Sequence, residues 1–362
     1  MCGEVSDTFC LHSNGTTSDN LLVSPISRAD RANLCSFVRV SHVPFDAEVG
    51  ATYAPNRKPR WPVSARRWFS PLRVGVYRSS CRFVQPTRVR HPRRIALEDI
   101  MDLGLERKRA IVTGGNRGIG RCCALTLARE GARVCIAARD QTLLYEVVGE
   151  IDAIGGEGHT VAVDLTALEG CQKVVDETVG TFGGVDILVN CAGAAQGGDV
   201  LTLSTDLIDE AVRLKSYSYL RLSQLVIPHM RRNGWGRIIH IAGGAGTSPG
   251  QGNIPVSLAN IAILNMTRAL SDAVARDGIL VNAICPGLTN TQRARTLQQA
   301  RADEEGRGVE DILQELGNRL PAGRIAEPQE VAQVVAFLAS EPCSYMFGSS
   351  IYMDGGERRG TP

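Results

Sequence analysis

The chain has 362 residues, of which 43% are hydrophobic, 22% charged and 5% aromatic, and its formal net charge is +2. That length allows two or three domains, and the composition excludes a collagen, a coiled-coil rod and a chain that is disordered throughout. No run of eighteen apolar residues occurs, and no charged segment leads into an apolar one at the amino terminus. We therefore expect a cytoplasmic protein without a membrane span or a secretory signal.

The charge is distributed unevenly along the chain. Residues 1–48 carry a net charge of −3, residues 49–97 carry +12 without a single acid, and residues 98–362 carry −7. Prolines interrupt residues 1–100, and neither strand nor helix periodicity is sustained there, so we expect a disordered Arg-rich leader. We interpret it as upstream sequence without a selected role. The alternatives are an organelle transit leader and a nucleic-acid-binding arm.

Eleven cysteines raise the question of a metal site or of disulfides. No Cys-x-x-Cys motif occurs, and the only close pair, Cys122 and Cys123, is adjacent in sequence. Zinc sites and disulfide frameworks use spaced cysteines, so we expect no metal and interpret these residues as small buried hydrophobic side chains.

From Lys108 onward, short β-branched runs alternate with helical stretches, which is typical of βαβ units. The predicted strands are Ala110–Thr113, Ala132–Ala138, His159–Asp164, Asp186–Asn190, Arg237–Ala242, Leu280–Cys285 and Ser349–Met353. Helices are predicted over 118–130, 141–154, 167–181, 205–233, 255–277 and 327–340. Residues 101–362 are thus predicted to form one α/β domain, with a doubly wound, parallel, seven-stranded sheet of the Rossmann type.

A glycine-rich loop follows the first of these strands and leads into a helix. Its sequence is Thr113-Gly114-Gly115-Asn116-Arg117-Gly118-Ile119-Gly120. Glycines let the backbone turn sharply and approach a pyrophosphate, whose charge is met by free N–H groups and by the helix dipole. The strand before the loop and the helix after it favour a dinucleotide site over a simple tight turn. The expected cofactor contacts are Gly114, Asn116, Arg117, Gly118, Ile119 and Gly120.

The end of the second strand bears on which cofactor is bound. An acid there would bind both ribose hydroxyls, but this chain has Arg139, whose guanidinium suits a 2′-phosphate. Arg117 adds a second positive charge, whereas Asp140 directly follows Arg139 and argues the other way. We expect NADP(H) in preference to NAD(H).

Over residues 106–357 the chain resembles the short-chain dehydrogenase/reductase family in its single-domain form. The resemblance rests on the glycine loop and on further motifs that follow in the family's order. These are Asp164-Leu165, Asn190-Cys191-Ala192-Gly193, Pro286-Gly287, the run from Gly323-Arg324 to Pro328, Phe337-Leu338-Ala339-Ser340, and Asp354-Gly355-Gly356.

The resemblance implies roles for residues that follow the other strands. Asp164 and Leu165 should flank the adenine. Asn190, Ala192 and Gly193 should support the central strand and the cofactor. Thr289 and Thr291, beyond Pro286 and Gly287, should meet the nicotinamide amide. All are predicted to lie at carboxyl ends of strands, where sheets of this type bind ligands.

The residues that usually catalyse the family's reaction are replaced. Members of the family usually carry a Tyr-x-x-x-Lys pair, a Ser after the fifth strand and an Asn in the fourth helix, which together protonate and stabilise the developing oxyanion. An ungapped alignment puts Val256 at the Tyr position, Asn260 at the Lys position, Gly243 at the Ser position and Arg213 at the Asn position. None of the four lysines follows a tyrosine by four residues.

Two hypotheses follow from this combination. The first is a divergent oxidoreductase that transfers hydride to or from a carbonyl or hydroxyl group with substitute residues. The candidates for these residues are Asn253, Ser257, Asn260, His240, Tyr217 and Tyr219, of which His240 and the two tyrosines have stronger structural interpretations. The second is a catalytically inactive cofactor-binding pseudoenzyme that serves as an oligomer partner or an NADP sensor.

Substrate choice and assembly are only partly indicated by the sequence. Residues 291–320 should close over the site and are heavily charged, but a solvated helix surface explains these charges equally well, so the small-molecule substrate stays unknown.

Surplus apolar positions in the fourth and fifth helices predict a homo-oligomer, a dimer or a tetramer. We expect no nucleic-acid partner.

Overall fold

The structure is a computed structural model that describes residues 101–193 and 196–359, together with two strands nearer the amino terminus. Those strands, β1 (Phe9–His12) and β2 (Leu22–Pro25), pair antiparallel. The rest of the predicted leader lies outside the described residues, so its disorder stays a prediction. The chain divides into two compact units, Met1–Arg88 and Val89–Pro362. In the part of the chain that is described, no helix is both long and apolar enough to cross a membrane.

Seven parallel strands form the sheet of the second unit, as the sequence predicts. They are β3 (Arg109–Thr113), β4 (Arg133–Ala138), β5 (Glu157–Ala162), β6 (Ile187–Asn190), β7 (Gly236–Ile241), β8 (Ile279–Pro286) and β9 (Ser350–Met353). Their order across the sheet is β5-β4-β3-β6-β7-β8-β9. The direction of the chain across the sheet therefore reverses between β3 and β6, which confirms the doubly wound arrangement.

Helices connect these strands on both faces of the sheet. They are α1 (Gly118–Arg129), α2 (Gln141–Ala153), α3 (Leu168–Phe182), α4 (Thr205–Val212), α5 (Ser218–Asn233), α6 (Ile254–Val274), α7 (Gln292–Glu305), α8 (Val309–Asn318) and α9 (Pro328–Ala339). The predicted helix over 205–233 is confirmed, and within it a π-helical turn at Arg213–Tyr217 separates α4 from α5. Helices α7 and α8 form the segment predicted to close over the site.

The core lies on both faces of the sheet, which explains why the strands are nearly continuous apolar runs. Side chains alternate along β3, so Ala110 and Val112 pack with α1, α2 and α9. Ile111 packs on the other face with α3 and α5. Every residue of β7 is buried, including Arg237 and His240. The sheet is thus covered on both faces, and the loops after β3 and β6 diverge at its carboxyl edge.

One buried hydroxyl joins the two central strands at that edge. The Oγ1 atom of Thr113 accepts hydrogen bonds from the backbone N–H groups of Cys191 and Ala192, at 3.0 and 3.1 Å. These donors lie in the loop after β6, while Thr113 begins the glycine-rich loop after β3. The two loops are therefore held against each other by the last residue of β3.

We expect Thr113→Val to lower the free energy of unfolding by about 2–4 kcal/mol, because two buried N–H groups lose their acceptor while the side-chain volume hardly changes. Urea unfolding followed by circular dichroism measures this. Thr178→Val is the matched control, since the hydroxyl of Thr178 contacts the helical carbonyl of Val174 and the thiol of Cys135 but accepts from no described backbone N–H. An equal loss for both variants would contradict the role given to Thr113.

Candidate active site

The glycine-rich loop is shaped so closely that side chains cannot replace its glycines. A Cβ atom at Gly120 would lie 2.2 Å from the carbonyl oxygen of Gly114, and Gly118 has a φ of 54°. No described side chain caps the start of α1, and its first turn contains no acid. The first N–H groups of α1 are thus left facing the loop, which is the arrangement that binds a phosphate.

The end of β4 presents one cation and an acid that is already engaged. Arg139 is exposed directly after the strand. The carboxylate of Asp140 accepts a hydrogen bond from the backbone N–H of Leu143 at 3.1 Å, so Asp140 is the N-cap of α2. The residue that argued for NAD(H) in the sequence therefore has a local structural task.

Other residues expected to meet a cofactor also lie at carboxyl ends of strands. Asp164 accepts from the N–H of Thr166 and so shapes the turn after β5, where Leu165 is buried. Thr291 is the N-cap of α7, and its methyl group lies closest to a Cβ built on Gly118, at 3.4 Å. The amide of Asn190 is fully buried without a hydrogen-bond partner among the described residues. Thr289 donates to the carbonyl of Gly287.

A second cation approaches the glycine loop from α7. Burial and the positive charge of Arg117 together lower the pKa of Arg293, which lies in the first turn of α7. Arg117 directly precedes α1, so the charge of Arg293 acts at the end of the loop where the helix begins. Like charges brought together in this way favour a bound anion.

The positions where the ungapped alignment expects Ser, Tyr and Lys hold a compact apolar and amide arrangement. Val256 lies half-buried in the first turn of α6. Gly243 has a φ of 147°, which side chains rarely adopt, and a Cβ there would lie 2.8 Å from Nδ2 of Asn260. Asn260 is buried. The amide of Asn260 thus occupies the space that a side chain at Gly243 would need.

One cation of the fourth helical segment is buried and one is exposed. Lys215 is only 7% exposed, whereas Arg213, which the ungapped alignment places at the Asn position, is exposed. Both lie in the π-helical turn, in which the backbone N–H of Ser218 bonds to the carbonyl of Arg213, five residues back. The inward-facing cation is Lys215.

Lys215 is held by two acceptors from different elements. Its Nζ atom donates to the side-chain Oδ1 of Asn260 at 2.6 Å and to the carbonyl oxygen of Ala242 at 3.0 Å. Its carbon stem packs over Gly193, where an added Cβ would lie 3.1 Å from Cδ. Burial, with a further contribution from the charge of Arg293, lowers the pKa of Lys215 to about 8.

The tyrosine and histidine candidates have structural tasks instead. The hydroxyl of Tyr219 is fully buried and lies 3.0 and 3.2 Å from the carbonyl oxygens of Ala192 and Ile241, and burial raises its pKa. Tyr217 is half exposed and stacks with Arg221. His240 bonds to Thr267 and Ser223, and burial lowers its pKa to about 3, which leaves it neutral.

The remaining polar candidates and the charged segment are internally paired. The hydroxyl of Ser257 bonds to the backbone and side-chain oxygens of Asn253. In α7 and α8, Glu315 forms ion pairs with Arg301, Arg307 and Arg319. These charges thus join two helices. Within the described ranges no group of three His, Cys, Asp or Glu residues could hold a metal ion, and the described cysteines are free thiols.

Comparison with known proteins identifies the family. Residues 114–357 match the profile of a family described as Enoyl-(Acyl carrier protein) reductase. The protein belongs to the short-chain dehydrogenase/reductase family. Among its relatives within the family, the chain is 32% identical to 3-oxoacyl-acyl-carrier-protein reductase FabG of Vibrio cholerae over 254 residues, which are 70% of this chain and 98% of the relative. It is 33% identical to the oxidoreductase UcpA of Salmonella typhimurium over 258 residues, covering 69% and 94%.

Solved structures of short-chain dehydrogenases/reductases are similar over the same region. L-sorbose reductase from Gluconobacter frateurii, in complex with NADPH and L-sorbose, has a TM-score of 0.70 and 31% identity, and the match covers 72% of this chain and all of that one. A variant of actinorhodin polyketide ketoreductase with NADPH has a TM-score of 0.66 and 30% identity, with coverage of 69% and 97%.

We expect Gly120→Ala to lower the free energy of unfolding by about 1–3 kcal/mol, because the new Cβ would overlap a backbone carbonyl that cannot move alone. Gly149→Ala is the control, since nothing lies within 4 Å of a Cβ at that position in α2. It should stabilise the protein by about 0.5–1 kcal/mol. Thermal and urea unfolding measure both, and a neutral Gly120→Ala variant would show that the loop is less tightly packed than described.

Proposed function

We propose that the protein binds NADP(H) at the carboxyl edge of its sheet and is an oxidoreductase that transfers hydride between this cofactor and the carbonyl or hydroxyl carbon of a small molecule. The observation that carries the proposal is the glycine cradle, in which Gly120 and Gly114 approach so closely that the loop has no room for a side chain and leaves the first N–H groups of α1 uncapped. Family membership supports the reaction class.

The residues present fit the pyrophosphate and the adenosine half of the cofactor. The N–H groups at the start of α1 and the guanidinium groups of Arg117 and Arg293 would hold the pyrophosphate, and Arg139 the 2′-phosphate. Asp164 and Leu165 would flank the adenine. When bound, the nicotinamide supplies the hydride chemistry. Two structural neighbours that hold NADPH support this choice of cofactor.

The chain's own residues limit which substrates can react. Val256 cannot give a proton to a substrate oxygen, and Gly243 cannot hold that oxygen. The loss of a positioned general acid typically lowers the rate by about 10²–10⁴, and the loss of an oxyanion donor by about 10²–10³. Substrates that carry their own acid, and activated acceptors such as an iminium or a quinone, avoid part of this loss. The proposed substrate class is therefore activated or self-protonating.

A second candidate function is a cofactor-binding pseudoenzyme. It is favoured by the engagement of both nearby hydroxyl groups, since Tyr219 is held by two backbone carbonyls and Ser257 by Asn253. Such a protein would act through binding alone, as an oligomer partner or as a sensor of NADP(H).

Turnover distinguishes the two candidates. Purified full-length protein with NADPH is given a panel of ketones, iminium ions and quinones, and the decrease in nicotinamide absorbance is followed. Oxidation of NADPH above the enzyme-free rate with any acceptor supports the oxidoreductase. Binding without turnover across the panel supports the pseudoenzyme.

Arg139 provides the test of cofactor choice. We expect the wild type to bind NADPH at least about tenfold more tightly than NADH, a difference of about 1.4 kcal/mol. Arg139→Ala should weaken NADPH binding about ten- to a hundredfold and leave NADH unchanged, because one charge-assisted contact to the 2′-phosphate is lost. Fluorescence titration of the full-length chain measures all four constants.

The matched control for Arg139 is Arg129→Ala. Arg129 is also exposed, but it ends α1 at the edge of the sheet away from the glycine loop. The Arg129→Ala variant should bind both nucleotides as the wild type does. An Arg139→Ala variant that loses both nucleotides equally, or neither, would refute the role of Arg139, and a wild type that binds neither nucleotide would refute the proposed function.

We also propose that the protein self-associates through α6. Leu258 and Ile261 lie on neighbouring turns of that helix and are 45% and 44% exposed, whereas Leu222, Val226 and Leu264 belong to the protomer's own core. An apolar pair exposed on one helix favours contact with a second copy.

We expect the double variant Leu258→Asp with Ile261→Asp to shift the wild-type dimer or tetramer to monomer, because paired charges in an apolar contact lose their hydration. Sedimentation velocity measures the shift. Ile154→Asp, at an exposed apolar position after α2, is the control and should leave assembly intact. A monomeric wild type would contradict the proposal.

A further inference from the structure

Lys215 is a buried cation in the pocket where the family usually carries its catalytic residues. It belongs to the π-helical turn, and its Nζ atom lies between Asn260 of α6 and the carbonyl of Ala242, directly after β7. Its stem covers Gly193 in the loop after β6. The ammonium group thus lies where the carboxyl ends of β6 and β7 meet the start of α6.

This place is the far half of the cofactor groove. Arg139 directly follows β4, which neighbours β3 on one side of the reversal. Lys215 lies on the other side, near the end of β7, which neighbours β6. A dinucleotide whose phosphates rest on the glycine loop extends across that reversal, so its adenosine half lies toward Arg139 and its other half toward Lys215. An ammonium group carries three N–H donors, and the two described acceptors use two of them.

We propose that Lys215 is the ammonium group that binds the nicotinamide-ribose hydroxyls of the cofactor, and that Asn260 holds it in place. The lysine and the amide would then both be present, with their places in α6 and in the preceding helical segment exchanged. The inference rests on the proposed NADP(H) function and assigns a residue within it. In the family the lysine would come from α6 and the amide from the preceding helical segment. In this chain α6 supplies the amide and the π-helical turn supplies the lysine.

The neighbouring replacements are compatible with this exchange. Gly243 has no side chain, so Nδ2 of Asn260 can lie 2.8 Å from the place where a Cβ of residue 243 would be. The amide then turns its Oδ1 toward Lys215. The π-helical turn is itself anchored to the site, since Ser216 donates to the carbonyl of Ala259 and Tyr219 donates toward the carbonyls of Ala192 and Ile241. The ammonium is therefore positioned by several elements at once.

Direct observation of the lysine side chains tests the contact without requiring turnover. The chain has only four lysines, Lys58, Lys108, Lys173 and Lys215, so protein grown with ¹³Cε-labelled lysine gives at most four signals to assign. Lys215→Asn assigns the signal of interest by its absence. Saturating NADPH should move that signal and leave the signal of Lys173, exposed on α3, in place.

The protonation of Lys215 also predicts how NADPH affinity depends on pH. The charged or titratable groups that act on it are Arg293 from α7, Cys191 after β6 and Cys285 in β8. Burial raises the pKa of Cys191 to about 12 and that of Cys285 above its usual value. Of these groups, Lys215 is the one whose pKa lies near 8.

NADPH affinity should therefore fall as the pH rises through about 8, because Lys215 then loses the proton that makes it a cation. At lower pH the affinity should be constant with respect to this group. In Lys215→Asn the fall should be absent. Lys173→Asn, which removes an exposed lysine, should keep the wild-type profile.

A four-member mutant cycle tests the exchange itself. At about pH 7 we expect Lys215→Asn to weaken NADPH and NADH alike by about ten- to a hundredfold, unlike Arg139→Ala, which acts on NADPH alone. Asn260→Lys alone should weaken NADPH binding and lower the free energy of unfolding. Its ammonium group would stand beside that of Lys215, where Oδ1 of Asn260 now accepts a 2.6 Å hydrogen bond. The double variant Lys215→Asn with Asn260→Lys should recover binding to within about tenfold of the wild type.

The outcomes separate the inference from the function on which it rests. A wild type that binds NADPH with an unmoved Lys215 signal, or a Lys215→Asn variant that binds as tightly as the wild type, overturns the inference alone. A wild type that binds no nucleotide overturns the proposed function and the inference with it. Recovery in the double variant, together with a shifted signal, supports the exchange.

Discussion

The reversal of strand order between β3 and β6 is the constraint on which the site depends. The helix after β3 packs on one face of the sheet and the helices around β6 on the other, so the loops at their carboxyl ends diverge and leave a crevice. The hydroxyl of Thr113 holds the two loops together at the base of that crevice. The glycine loop and Asn190 lie at this junction, Arg139 follows β4 on one side of it, and Lys215 lies on the other side.

Three residues around the start of α6, namely Gly243, Asn260 and Lys215, fit one another. Gly243 permits a φ of 147° and leaves room for the amide of Asn260, and that amide accepts from Lys215. Returning a serine to position 243 would force Asn260 to move, and returning a lysine to position 260 would place two ammonium groups together. The pocket is thus a consistent arrangement that differs from the usual one.

Much of the fold could be predicted from the sequence because periodicity and turn residues are local signals. The seven parallel strands and the glycine loop between β3 and α1 were found in this way, with ends off by one or two residues. The capping role of Asp140 is also local, and a carboxylate three residues before a helical N–H was a detectable signal. The π-helical turn was not, since nothing in Arg-Leu-Lys-Ser-Tyr distinguishes it from α-helix. The sequence therefore did not show that Arg213 is exposed and Lys215 buried.

Electrostatics explains why the buried lysine matters beyond its local contacts. Arg117 lowers the pKa of Arg293, and Arg293 in turn contributes to lowering that of Lys215, so the three cations repel one another along the groove. Burying an ammonium group beside other cations destabilises a folded protein unless its partners compensate, and here the partners are one amide and one carbonyl, both uncharged. A decayed site would be under no physical constraint to keep such a group, whereas a site that receives an anionic dinucleotide turns the repulsion into binding energy. The uncompensated ammonium group of Lys215 therefore fits the proposed cofactor groove better than a pocket that binds no anion.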